Sequence, residues 1–275
     1  MTEEELSKKD KTEQRRARAA ARLNAEKARS RRRAMMFRTG IVLAVIAVLA
    51  AVAALMINNR PQEVASSGPV PSAANIYGGV NAAAPESGAD ASVDAEKIPG
   101  SVDGKPAGIT APAEADPASV VLYVDPNCVH CAEFETMYGD SLKQKAEEGA
   151  ISLETRTIAI LDRNSPTNYS SRAANAMACV ADAKPEKYLE FTGAVFANYP
   201  NGELANQGLV DLAEEHGVTG ISDCVKDGKF RPFVKFTTEA ATEHGITGTP
   251  TIFINGEMWD LQGDFDTVLN EAIAG

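Results

Sequence analysis

The sequence predicts an α/β domain carrying an inserted all-helical subdomain, preceded by one transmembrane helix and a disordered linker. Three observations predict it. Val120–Val124 and Ile151–Ile160 are strand-like runs flanking a helical stretch, a spacing that makes a parallel, right-handed βαβ unit. A long series of helical patterns follows, and the chain returns to sheet only at Thr251. Upstream lie an uncharged apolar run and a stretch dominated by Ala, Pro, Gly, Ser and Asp.

Taken in order, residues 1–39 form a basic tail. Residues 1–40 hold 13 Lys/Arg against 6 Asp/Glu, whereas the whole chain carries a net charge of −11. A basic tail beside an acidic body implies different compartments or partners. Residues 40–57 contain no charge and, with Ala34–Phe37 before them, match the ~30 Å of a bilayer core. Arg31, Arg32, Arg33 and Arg38 flank the start and only Arg60 follows closely, which places the N-terminus in the cytoplasm and the rest outside the cell membrane. A cleaved signal peptide with a site near Ala51–Ala53 is the alternative. The apolar run is longer than a usual signal core, so a retained single-pass anchor is the expectation. The tail is read as orienting the chain in the bilayer, with no nucleic-acid partner.

Residues 58–117 have almost no large apolar side chain and read as a disordered spacer, with Ile76-Tyr77 and Ile98-Pro99 as possible points of contact. Residues 118–275 are the folded domain, with the helical insertion at about 162–244. Val120–Val124 suits a central strand covered on both faces. Pro126 and Asn127 break it, and Ala132, Phe134, Met137, Tyr138 and Leu142 form a helical stripe ending near Gly149. Pro166 and Pro185 mark helix starts; Gly208–Glu215, Ser222–Lys226 and Pro232–Glu243 are further helices. Asn255-Gly256 joins Thr251–Ile254 to Met258–Leu261 as a hairpin, and Asp264 or Asp266 caps a last helix.

The chemistry is concentrated at Cys128-Val129-His130-Cys131, a C-x-x-C at the mouth of a helix. A Cys there meets unpaired N–H groups and the positive end of the helix dipole, which favour a thiolate. His130 adds positive charge, and Cys131 is placed to resolve a mixed disulfide. Zinc is the competing reading, but a structural site wants four ligands and no second such pair exists; His216 and His244 stand alone near helix ends. No metal is expected. Cys179 and Cys224 lie in the insertion, where an extracytoplasmic disulfide closing about 46 residues, worth ~4 kcal/mol, is the default and a second redox pair the alternative. Asp125 is either a proton relay or a turn cap.

With Gly248-Thr249-Pro250-Thr-Ile-Phe-Ile-Asn-Gly256 downstream of the C-x-x-C, the element order resembles the thioredoxin fold with the helical insertion of the DsbA-like disulfide oxidoreductases, of the membrane-anchored actinobacterial type. The resemblance covers residues 118–275. It implies Cys128 as nucleophile, Cys131 as resolving thiol, His130 as stabiliser of the thiolate, and a cis Thr249-Pro250 whose backbone pairs with extended substrate beside Val129. It implies no cofactor beyond the redox-active Cys128–Cys131 disulfide. The implied partners are unfolded exported proteins with cysteines and a quinone-linked membrane partner that reoxidises the pair; a monomer is expected. Two departures stand out. Val129 replaces the Pro of DsbA proper, and Leu122 occupies the position where thioredoxin-like sites often carry a buried carboxylate. A reductase or isomerase of the same fold, or a tethered chaperone module without turnover, are the other readings.

Overall fold

The computed structural model describes residues 35–36, 45–49, 64–82, 91–101 and 104–275. Most of the basic tail and of the 40–57 span lies outside the described residues; Met35–Met36 and Val45–Leu49 are helical. Among the described residues no helix is long and apolar enough to cross a membrane.

Within Pro61–Gly275, β1 (Ser67–Pro69) and β2 (Ser92–Asp94) form a small antiparallel ribbon. The main sheet comprises β3 (Ala118–Val124), β4 (Ile151–Thr157), β5 (Thr251–Ile254) and β6 (Glu257–Met258), in the order β4-β3-β5-β6. β3 and β4 are parallel, joined over α1 (Val129–Glu147); β5 runs antiparallel to β3 with Tyr123 opposite Thr251. That register sets the start of β5 beside the end of β3, where the C-x-x-C begins. The insertion holds α2 (Tyr169–Ala183), α3 (Tyr188–Ala197), α4 (Asn206–Glu215), α5 (Ser222–Asp227) and α6 (Arg231–Glu243), and α7 (Phe265–Ala274) closes the chain.

β3 is apolar on both faces because both are covered. Val120, Leu122 and Val124 pack with α1 and α7; Val121 and Tyr123 pack with Ala241 of α6, Ile246 and Ile109. Asn255 (φ 49°) and Gly256 (φ 79°) are both left-handed, the requirement of the tight hairpin turn read from Asn-Gly. Two local expectations change. β6 stops at Met258, although the N–H of Trp259 still reaches Ile252 O. Pro166 sits in the turn before α2, where the Ser165 hydroxyl accepts from the N–H of Thr167 in the turn and from that of Tyr169, the first residue of the helix.

The larger correction concerns residues 58–117, read as a disordered spacer. Their described parts lie on the domain: Val70, Ala73, Ala74, Val80, Val93 and Ala95 are buried in one core with the insertion helices. Val80 and Thr155 exchange both main-chain hydrogen bonds at 2.9 Å, adding a bridge to the free edge of β4. Ile98 packs against the insertion core, and Pro99 O accepts from His244 Nε2 at 3.0 Å. The composition argument holds for a segment folding alone, but this one borrows a surface already built. Small residues let its backbone come close: a Cβ on Gly78 would fall on Thr237, and one on Gly108 on the Tyr77 ring.

Candidate active site

β3 ends at Val124, and the next four residues turn the chain into α1. The carbonyl of Asp125 accepts the Cys128 N–H at 3.0 Å, closing a β-turn with Pro126 in second position, where its fixed φ belongs. Cys128 is the N-cap of α1, in extended conformation (φ −96°, ψ 120°). Both cysteines of the C-x-x-C are buried free thiols, with Cys131 only 1% exposed. The Thr249-Pro250 peptide is cis, and Thr249 O lies 3.3 Å from Cys128 Sγ.

These surroundings separate the two thiols. Cys128 falls to about 5, chiefly because the Cys131 thiol donates to its sulfur; the Thr249 side chain and the main-chain N–H groups of Cys131 and His130 add to this, against burial. Cys131 moves strongly upward because it is buried and faces the Cys128 charge. One sulfur is therefore a ready thiolate at neutral pH, and its neighbour holds a proton.

His130 interacts with the charge of Cys128, but its first partner is Glu133. Its ring is exposed, and Nδ1 lies 2.9 Å from Glu133 Oε2. That carboxylate raises the imidazole pKa, with Cys128 as a lesser cause. Val129 is 41% exposed beside Cys128. The structure thus brings Cys128, Cys131, Thr249 and Pro250 together, with the His130 ring turned to Glu133. Cys179 of α2 and Cys224 of α5 are disulfide-bonded, 45 positions apart. Among the described residues no group of three or more His, Cys, Asp or Glu is placed to hold a metal.

Sequence reasoning underrated three groups. Thr249 was given only a backbone role, yet its side chain favours the Cys128 thiolate. Asp125 is completely buried, and burial raises it to about 6. Glu135, one helical turn past Cys131, lines a cavity of about 370 Å³ between α1, the sheet and α3. Its carboxyl lies against Gly139 of α1 and Gly193 of α3, and burial with the charge of Asp140 pushes it to about 7. A polar residue on the inward stripe of α1 was the available signal.

The family model described as thioredoxin matches residues 106–272. No curated protein matches the chain. Among solved structures, the reduced disulfide bond oxidoreductase DsbG from Mycobacterium tuberculosis is 31% identical, with a TM-score of 0.51 over 60% of this chain and 88% of its own. Oxidised DsbA from the same organism is 29% identical, with a TM-score of 0.51 over 64% and 91%. The MdbA thiol-disulfide oxidoreductase of Actinomyces oris shares the fold, at 22% identity and a TM-score of 0.57 over 79% and 98%.

Proposed function

As the chain belongs to the thioredoxin family, and within it to the DsbA-like thiol-disulfide oxidoreductases, we propose that it donates its Cys128–Cys131 disulfide to exported proteins outside the cell membrane. The observation that carries this direction is the split between the two thiols. A stabilised Cys128 thiolate lowers the energy of the reduced pair, which makes the disulfide the more oxidising.

The steps follow. A substrate thiolate attacks Cys128 Sγ, the Cys128–Cys131 bond breaks, and Cys131 leaves and takes a proton. A second substrate thiolate attacks the substrate sulfur of the mixed disulfide and expels Cys128. The substrate loses two electrons and becomes a disulfide; the enzyme keeps them as the Cys128 thiolate and the Cys131 thiol. Extended substrate lies along the Thr249 backbone, as the family resemblance implies. A quinone-linked membrane partner takes the two electrons back. Residues 40–57 hold the enzyme in the bilayer with the N-terminus cytoplasmic, a reading supported by the arginines before the apolar run.

The test is the redox equilibrium of the purified chain against glutathione, read by thiol alkylation. A donor equilibrates between about −180 and −120 mV, the span from protein disulfide isomerase to DsbA. A value near −270 mV, that of thioredoxin, would make it a reductant and end this reading.

A further inference from the structure

Asp125 is fully buried three residues before the nucleophile, and the steps above give it no task. Three main-chain N–H groups donate to it. Its carbonyl takes the Cys128 N–H at 3.0 Å, Oδ1 takes the Asn127 N–H at 2.9 Å, and Oδ2 takes the Leu161 N–H at 2.9 Å. The first two bind the turn internally, an Asx-turn nested in a β-turn. The third fastens that turn to the short 3-10 helix Ile160–Asn164, where the chain leaves β4 for the insertion.

An ionised carboxylate meets this pattern best, because both oxygens face N–H donors and neither carries a proton of its own to place. Asn127 extends the link: its Nδ2 reaches Glu203 Oε1 at 3.4 Å, and Glu203 Oε2 accepts from Thr167 Oγ1. The placement of Cys128 at the helix N-cap is thereby fixed from outside α1.

We propose that Asp125 is a positioning residue for the thiol exchange: its carboxylate locks the turn that sets Cys128 Sγ against the Cys131 thiol, and ties that placement to the first turn of the helical insertion. The proposal rests on the oxidoreductase reading of Cys128. The carboxyl itself is raised to about 6, mainly by burial, with Asp162 of the 3-10 helix adding to this; Ser170 of α2 and the Asn127 and Leu161 N–H groups oppose it.

The experiment titrates Cys128 in the reduced full chain by its ultraviolet thiolate absorbance, in the native protein and in Asp125→Asn. An amide cannot accept from both N–H groups, so the turn loses one anchor. The expected result is a Cys128 midpoint raised by about one pH unit, the size of one lost charge-favouring interaction, with helical circular dichroism unchanged. A lower melting temperature with an unmoved thiolate midpoint would mean a purely structural role and overturn the proposal. Should Asp125→Asn fail to fold, nuclear magnetic resonance of the native chain decides. The amide protons of Leu161 and Asn127 report the Asp125 carboxyl, and the Cys128 β-carbon should show, besides its own titration, a second, smaller inflection at that same pH; a β-carbon curve without it overturns the proposal. Failure of the oxidoreductase reading shows elsewhere, as a native chain that exchanges no electrons with glutathione.

Discussion

At the scale of single residues, the site turns on the unequal treatment of two cysteines that share one helix turn. Cys128→Ala should abolish dithiol oxidation in a stopped assay with a reduced model protein. Undiminished turnover would remove Cys128 from the chemistry. The pH dependence has a definite sign. Cys128 has a folded pKa of about 5, below the 9.0 of a free thiol. Its contribution to stability is therefore fully present above pH 9 and is lost as pH falls through 5. The oxidised protein lacks this titration, so the reduced form should gain on it as pH rises from 5, measured as diverging urea midpoints. Parallel curves would contradict the lowered pKa. The cysteines and Pro250 were legible in the sequence because their spacing and neighbours are distinctive. The ring direction of His130 was not, since only the fold reveals that Glu133 competes for it.

At the scale of elements, the Glu135 carboxyl of α1 lies against Gly139 of its own helix and Gly193 of α3, in space that a Cβ at either position would take. Its folded pKa of about 7 lies above the ordinary 4.5, mainly through burial. A carboxyl raised in this way binds its proton more tightly when folded. Stability is highest below pH 4.5 and falls as pH rises to 7, a loss on the order of 3 kcal/mol. Glu135→Gln should raise the urea midpoint at pH 8 and leave it nearly unchanged at pH 4; equal effects at both would dismiss the burial argument. Helices were legible here from apolar periodicity and prolines, and the hairpin from Asn255-Gly256. The α1–α3 crossing was not, because a glycine in a helix carries no pattern until its neighbour is known.

At the scale of the molecule, the boundary of the folded unit was the main misreading. Composition marks residues 58–117 as unable to fold, yet Val70, Ala74, Val80 and Val93 are buried on the insertion and the β4 edge. Small side chains score low in any count of large apolar residues, although together they close a surface. A chain starting at residue 104 should lose roughly 2–5 kcal/mol against one starting at Pro61, the balance of regained chain entropy and lost burial. Equal thermal midpoints would return the segment to the status of a spacer. Replacing Cys179 and Cys224 together by Ala should lower stability by about 4 kcal/mol through release of the closed loop, with the Cys128 thiolate titration unaffected.

The bridge between Val80 and Thr155 bears on a hazard of the work proposed for this enzyme. A catalyst that meets unfolded chains offers them any unpaired strand edge, and captured clients seed aggregates. Val80 pairs with Thr155 on the β4 edge, and β6 at the opposite edge is only two residues long. An extended client is left little to zip onto away from the cis-proline loop. The segment that carries Val80 thus takes up hydrogen-bonding positions on an edge that an extended client could otherwise occupy.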